Sequence, residues 1–217
     1  FDFDDTLTDN SERDFQSFHE LIEKFHIGFL EKQKFLNWRK NDETSEFIIK
    51  QLINSNSKKL FENCFRHRLS FLEKESSYFK YVRLKPCTTK ILEQLKNDGH
   101  ILALNSIKEN HQIFQDIISH FKIQNFFDKI ISGKLTSKNS FESRFDTKKS
   151  IYKKILSDLK FDDLNEILVV GNLFSDILPA HELGIDSIMI KGSFGFDNSQ
   201  NFPCNKISKI EEIHNFI

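Results

Sequence analysis

Charge of one sign, cysteine, long apolar runs and internal repeats are all scarce in this chain of 217 residues. Its 31 basic and 32 acidic residues leave a formal net charge of −1. No global field therefore favours nucleic acid, an acidic membrane surface or an acidic partner. The three cysteines, Cys64, Cys87 and Cys204, are odd in number and far apart. They show no zinc or redox spacing, so reduced thiols in a cytoplasmic protein are the expectation. No apolar stretch is long enough to span a bilayer. Phe1 already falls within a strand-like run, so residues are expected upstream of it, and the sequence leaves room for a removed targeting segment. What the chain does have is 24 phenylalanines, which supply much of the core material, and a length that suits one sizeable core or a core with a small inserted domain.

The opening run, Phe1-Asp2-Phe3-Asp4-Asp5-Thr6-Leu7-Thr8-Asp9, alternates apolar and acidic residues before turning polar. It reads as the end of a β-strand entering a turn. Side chains two apart on a strand share a face, which would start Asp2 and Asp4 on the same side. Two carboxylates that close repel unless a cation lies between them or one keeps a proton. Capping and turn formation account for Asp9 or Ser11 but not for acids inside an apolar strand.

From Ser11 to about Tyr81 the pattern is helical. Ser11-x-x-Asp14 has the form of a capping box, and Phe15, Phe18, Ile22 and Phe25 follow at helical spacing. Further helices are expected over Phe29–Lys40, Thr44–Asn54 and Ser57–Phe79. The basic and aromatic mixture from Phe65 to Arg83 reads as buried aromatics and solvated basic residues, and not as a nucleic-acid patch. Trp38 reads as a core residue, and His19 and His26 as surface or core histidines.

After Leu84-Lys85-Pro86 helices alternate with short apolar runs. Helices are expected at Thr88–Asn97, Glu109–Phe121, Lys148–Leu159 and Phe174–Leu183. Strands are expected at Ile101–Leu104, Asp128–Ile131, Ile167–Val170 and Ser187–Ile190, with a loop from Gly133 to about Asp146. The tail from about Lys206 could add a short strand and a final helix. This alternation with nearly all-apolar strands indicates an α/β fold, a parallel sheet covered on both faces, whose ligands sit at the carboxyl ends of the strands. Residues just past those ends are Asp2 and Asp4, then Asn105, Ser106 and Lys108, then Gly171-Asn172-Leu173-Phe174-Ser175-Asp176. Ser106 could donate to a phosphoryl oxygen or simply cap a helix, and Asn105 takes its place if the register slips by one.

Asp2-x-Asp4-x-Thr6-Leu7-Thr8 resembles the first motif of the haloacid dehalogenase-like (HAD) phosphohydrolases. Ser106 stands where that superfamily's second motif has its Ser or Thr, and Lys148, at the start of its expected helix, resembles the motif lysine. Gly171-Asn172-x-x-x-Asp176 resembles the fourth motif, with Asn172 replacing the usual first acid. The resemblance covers the first turn and roughly residues 84–190, with the four motifs in order. It implies a Rossmann-like core over residues 1–10 and 82–217 and a small all-helical cap domain over residues 11–81, as in the phosphoglycolate phosphatase-like subgroup.

The resemblance further implies a Mg²⁺-dependent phosphatase acting on a small phosphorylated metabolite, as a monomer or homodimer. Asp2 would be the nucleophile and Asp4 the acid and base. Lys148 and Ser106 would meet the phosphoryl charge, with Thr6 and Asn105 also in the substrate site. The metal set would be Asp2, Asp4 through its carbonyl, Asn172 and Asp176. An acid at position 4 argues against dehalogenase chemistry. The alternatives are a phosphoryl transferase such as a sugar-phosphate mutase, or a phosphate- or partner-binding module whose catalysis has weakened at Asn172.

Overall fold

The computed structural model describes residues 1–41, 43–53, 55–108, 110–135, 141–161 and 163–217. It divides into two compact units: residues 1–9, 84–192 and 196–217 form one, and residues 10–83 with 193–195 form the other.

The second unit is helical. Its helices are α1 (Ser11–Phe25), α2 (Lys32–Lys40), α3 (Ser45–Ile53), α4 (Lys58–Glu73) and α5 (Glu75–Tyr81). Phe15, Phe18 and Leu21 of α1 bury against Phe35, Ile48, Ile49, Leu52 and Cys64. The expected helix over Ser57–Phe79 is two helices, because the chain turns extended at Lys74. Neither Pro nor Gly marks that break, so the sequence does not announce it. Asn54, the expected end of the third helix, lies outside the described residues. Trp38 packs edge-on to Phe47 at the border of the core. Arg68 departs from the expected solvated role: it is buried and paired with Asp14.

In the first unit β1 (Thr8–Asp9) and β2 (Arg83–Leu84) are two-residue strands, the second straddling the division between the units. After them come α6 (Thr88–Asn97), β3 (Ala103–Ile107), α7 (His111–His120), β4 (Lys129–Gly133) and α8 (Phe141–Leu159). β5 (Leu168–Gly171), α9 (Phe174–Glu182), β6 (Asp186–Ile190) and β7 (Asn205–Ile207) follow. β3 pairs with β4, and β5 with β6 and then β7, all parallel. Residues 1–3 join the two sets. Asn105 N–H donates to the Phe1 carbonyl at 2.8 Å, and Asp2 N–H to the Val170 carbonyl at 2.9 Å. The order β4-β3-(1–3)-β5-β6-β7 thus reverses direction at the opening segment, the switch point where open α/β sheets form a crevice.

Successive strand residues face opposite ways. Phe3 packs against Phe114 of α7, while Asp2 meets Lys148 of α8, so helices cover both faces. The fold is α/β with a parallel sheet, as the alternation indicates.

The boundaries differ from expectation in informative places. β3 runs to Ile107, so Asn105 and Ser106 lie inside the strand and not beyond it. Both are buried and hydrogen-bonded, and an apolar-run criterion ends too soon at such residues. α8 begins at Phe141, so Lys148 lies about two turns inside the helix and does not open it. The first turns of α8 bury Ser143 and Thr147, which hides their face from a hydrophobic periodicity. The expected loop from Gly133 includes residues 136–140, and the α7 expectation includes Glu109; these lie outside the described residues. The tail ends in a 3-10 segment, Ile210–Asn215, in place of an α-helix.

Candidate active site

Asp2 is 6 % exposed at the centre of the sheet, and its two oxygens have separate partners. Lys148 Nζ lies 2.6 Å from Oδ1, and the Thr6 hydroxyl lies 3.1 Å from Oδ2. The same Thr6 oxygen is 3.2 Å from Asn172 Oδ1. Lys148 also reaches Asn105 Oδ1 at 2.5 Å and Asp176 Oδ1 at 2.8 Å. One buried ammonium therefore joins β3, the opening segment and the first turn of α9.

The turn after Asp2 is folded by its own threonines. Leu7 N–H donates to the Phe3 carbonyl, and the Thr8 hydroxyl donates to it as well. Asp5 takes φ +56°, a left-handed conformation that Asp tolerates better than most residues. Asp4, first in that turn, sends Oδ2 to Lys108 Nζ at 2.5 Å and accepts from the Ser106 hydroxyl at 3.3 Å. Ser106 and Lys108 are two apart on and just past β3 and so share a face. Lys108 has no assigned role in the sequence reading; its period-two spacing from Ser106 was the available signal.

At the fourth motif a Cβ on Gly171 would stand 2.4 Å from Asp176 Cβ, so glycine is required for close approach. Asp176 Oδ2 accepts from the Leu173 N–H at 3.1 Å, at the start of α9. Asp197 Oδ2 takes the next free amide, that of Phe174, at 2.7 Å. Tyr152 of α8 donates its hydroxyl to the Asp176 carbonyl at 3.2 Å.

Burial raises the Asp2 carboxyl from its ordinary value to about 6; Lys148 pulls it down, while Asp176 and Asp4 push it up. For Lys148 burial favours the neutral amine, but the attraction of Asp176 and Asp2 outweighs it and holds the ammonium above its usual range. Burial, then the charges of Asp176 and Asp2, raise the Tyr152 phenol well above its ordinary value, so it stays a donor.

The oxygen donors suit a hard cation such as Mg²⁺. Asp2 Oδ2 and Asn172 Oδ1 both face Thr6, whose single hydroxyl proton satisfies one of them at a time. The pair thus keeps lone-pair capacity directed at one place. Among the described residues no group of three His, Cys, Asp or Glu is spaced to hold a metal ion. Both Asp176 oxygens are engaged, and Lys148 offsets one of the two carboxylate charges.

The family model for haloacid dehalogenase-like hydrolases matches residues 1–190. Among solved structures, a candidate phosphatase from Clostridium difficile is 20% identical with a TM-score of 0.75, over 99% of this chain and 95% of that one. A predicted phosphoglycolate phosphatase from Haemophilus somnus is also 20% identical, with a TM-score of 0.70 over 99% and 95%. A candidate beta-phosphoglucomutase from Thermotoga maritima is 19% identical, with a TM-score of 0.67 over 99% and 95%. No curated protein sequence matches the chain. Likeness at such identity speaks for the fold, while the family model spans most of the sequence and both ends of the buried Asp2–Lys148–Asp176 cluster. The chain belongs to the haloacid dehalogenase-like hydrolases and is an enzyme of that class.

Proposed function

We propose that the chain hydrolyses a small phosphomonoester through a phosphoryl group carried on Asp2. The supporting observation is the placement of Asp2 at the sheet's switch point, with one oxygen on Lys148 and the other facing Thr6 and Asn172. A carboxylate held this way can attack phosphorus and split one difficult displacement into two. Asp4 is the acid and base: it protonates the departing oxygen, then takes a proton from the water that cleaves the acyl phosphate. Ser106 and Lys108, both on Asp4, hold that carboxyl in place and set positive charge beside the leaving group. Lys148 and the hydroxyl of Thr6 meet the charge that develops on the transferring oxygens. Asp2, the Asp4 carbonyl and Asn172 would hold a Mg²⁺, with Asp176 adding charge; bound there, the ion would neutralise phosphoryl oxygens.

The test is turnover of an aryl phosphate by the wild-type chain and by Asp2→Asn, with Mg²⁺ present. Loss of turnover in a folded Asp2→Asn, with acid-stable label from a radioactive phosphoryl donor on wild type alone, supports the reading. Equal turnover of the two proteins removes it. Assay with sugar phosphates decides between hydrolysis and transfer, since a mutase returns a sugar phosphate and a hydrolase returns inorganic phosphate.

A further inference from the structure

We propose that Lys85 is a positioning residue of this site, holding the Asp4-Asp5 turn against the end of β6 through one ammonium group. The inference rests on the phosphatase reading above and adds a residue that this reading does not use.

Lys85 follows β2, at the point where the chain re-enters the sheet unit. Its own amide donates to the Leu7 carbonyl at 2.9 Å, and the Thr88 hydroxyl reaches the same oxygen at 3.2 Å. Its side chain goes to two main-chain oxygens. Nζ donates to the carbonyl of Asp5 and, at 2.6 Å, to the carbonyl of Lys191, the residue after β6. One side chain thus serves two segments far apart in sequence, with the Asp5 contact partly buried and the Lys191 contact exposed.

The Asp5 carbonyl is a consequential place for such a hold. Asp5 sits in the left-handed region, which costs an L-residue about 1–2 kcal/mol, and the Lys85 bond to its carbonyl adds to the one its amide donates to the Thr8 hydroxyl. The peptide plane of that carbonyl joins Asp5 to Thr6, one residue past Asp4. Asp4 carries the acid and base, and Thr6 faces both Asp2 and Asn172. Fixing that one peptide plane therefore fixes groups on either side of it. Lys148 and Lys108 grip carboxylates, whereas Lys85 grips the main chain that presents them. Burial lowers the Lys85 ammonium to about 8, with Asp5, Asp9 and Asp2 opposing the shift, so it remains mostly charged at neutral pH.

The experiment compares the full wild-type chain with Lys85→Met and Lys85→Gln, measuring kcat and KM on an aryl phosphate and on an alkyl phosphate, alongside thermal melting. A misplaced catalytic group costs on the order of 10²-fold in rate, so kcat is expected to fall roughly 10- to 100-fold with KM little changed. The alkyl phosphate should suffer more, because its poor leaving group depends on Asp4. The comparison uses whichever variant melts above the assay temperature. A folded variant with wild-type kcat on both substrates overturns the proposal, as does a loss equal on both. Absence of turnover in the wild type would instead overturn the phosphatase reading, which keeps the two failures distinct.

Discussion

Lys148 Nζ stands 2.6 Å from Asp2 Oδ1 in a site where both side chains are almost wholly withdrawn from solvent. Asp176 completes the arrangement from the other side at 2.8 Å. Removing one member of a buried ion pair leaves its partner's charge uncompensated, which costs about 3–5 kcal/mol. Lys148→Met should therefore lose turnover and also lower the melting temperature of the metal-free protein. Mg²⁺ should restore part of that stability by standing in for the missing positive charge. A melting curve unchanged from wild type would contradict the pairing.

The Asp2 carboxyl gives the pH dependence. Its folded value of about 6 lies above its ordinary 3.8, so the folded metal-free chain binds this proton more tightly than the unfolded chain. The stability it contributes is full below 3.8 and is lost as pH rises through about 6. Activity runs the other way, because only the carboxylate attacks. At low Mg²⁺ the acidic limb of kcat/KM should fall near pH 6, and added Mg²⁺ should move it lower, since cation and proton compete for Asp2. A limb that ignores Mg²⁺ would exclude Asp2 as its source.

Asp4 has a different signature. It accepts from Ser106 and pairs with Lys108, partners separate from those of Asp2. Asp4→Asn should lose most of its rate on alkyl phosphates, whose leaving oxygen must be protonated, and less on aryl phosphates. General acid–base groups contribute about 10²–10⁴-fold, which sets the expected span. Equal losses on the two substrates would assign Asp4 to something other than proton transfer.

In the helical unit Asp14 joins Arg39, whose Nε lies 2.8 Å away, and Arg68. Arg68 is nearly excluded from solvent and lies over the Phe18 ring at 4.6 Å. Asp14→Asn would leave two arginines without their carboxylate. A loss of about 3 kcal/mol is expected from urea unfolding. A variant as stable as wild type would mean that water or other groups already serve these arginines.

The parallel sheet was legible because strands buried on both faces are nearly all apolar and alternate with helices. Of the candidate site residues, Asp2, Thr6, Lys148, Asn172 and Asp176 are linked by the fold through hydrogen bonds and ion pairs. Polar residues inside regular elements were harder to place. Asn105 and Ser106 sit within β3, and Ser143 and Thr147 are buried on α8, so neither element's limits follow from apolar periodicity. Arg68 eluded the reading for the same reason, since its burial depends on Asp14, 54 positions away. Contacts made through the backbone, such as Lys85 to Asp5, leave no pattern in side-chain type at all.

Asn172 is the sharpest departure from the acidic pattern and the simplest to reverse. Its Oδ1 lies 3.2 Å from the Thr6 hydroxyl, which is itself 3.1 Å from Asp2 Oδ2, so the amide oxygen and the carboxylate face the same place. Mg²⁺ is usually bound through one or two carboxylates together with substrate phosphate. Here Lys148 already offsets one of the two acids, Asp2 and Asp176, leaving a single net negative charge. Asn172→Asp adds a second, so half-saturation should come at lower Mg²⁺. The same charge repels Asp2 in the metal-free site, which raises the Asp2 carboxyl further and lowers metal-free stability at neutral pH. The variant should therefore melt below wild type without Mg²⁺ and gain more from its addition. Titrating Mg²⁺ against activity and melting temperature in both proteins reads both effects. A Mg²⁺ requirement unchanged by the substitution would place Asn172 outside the metal shell.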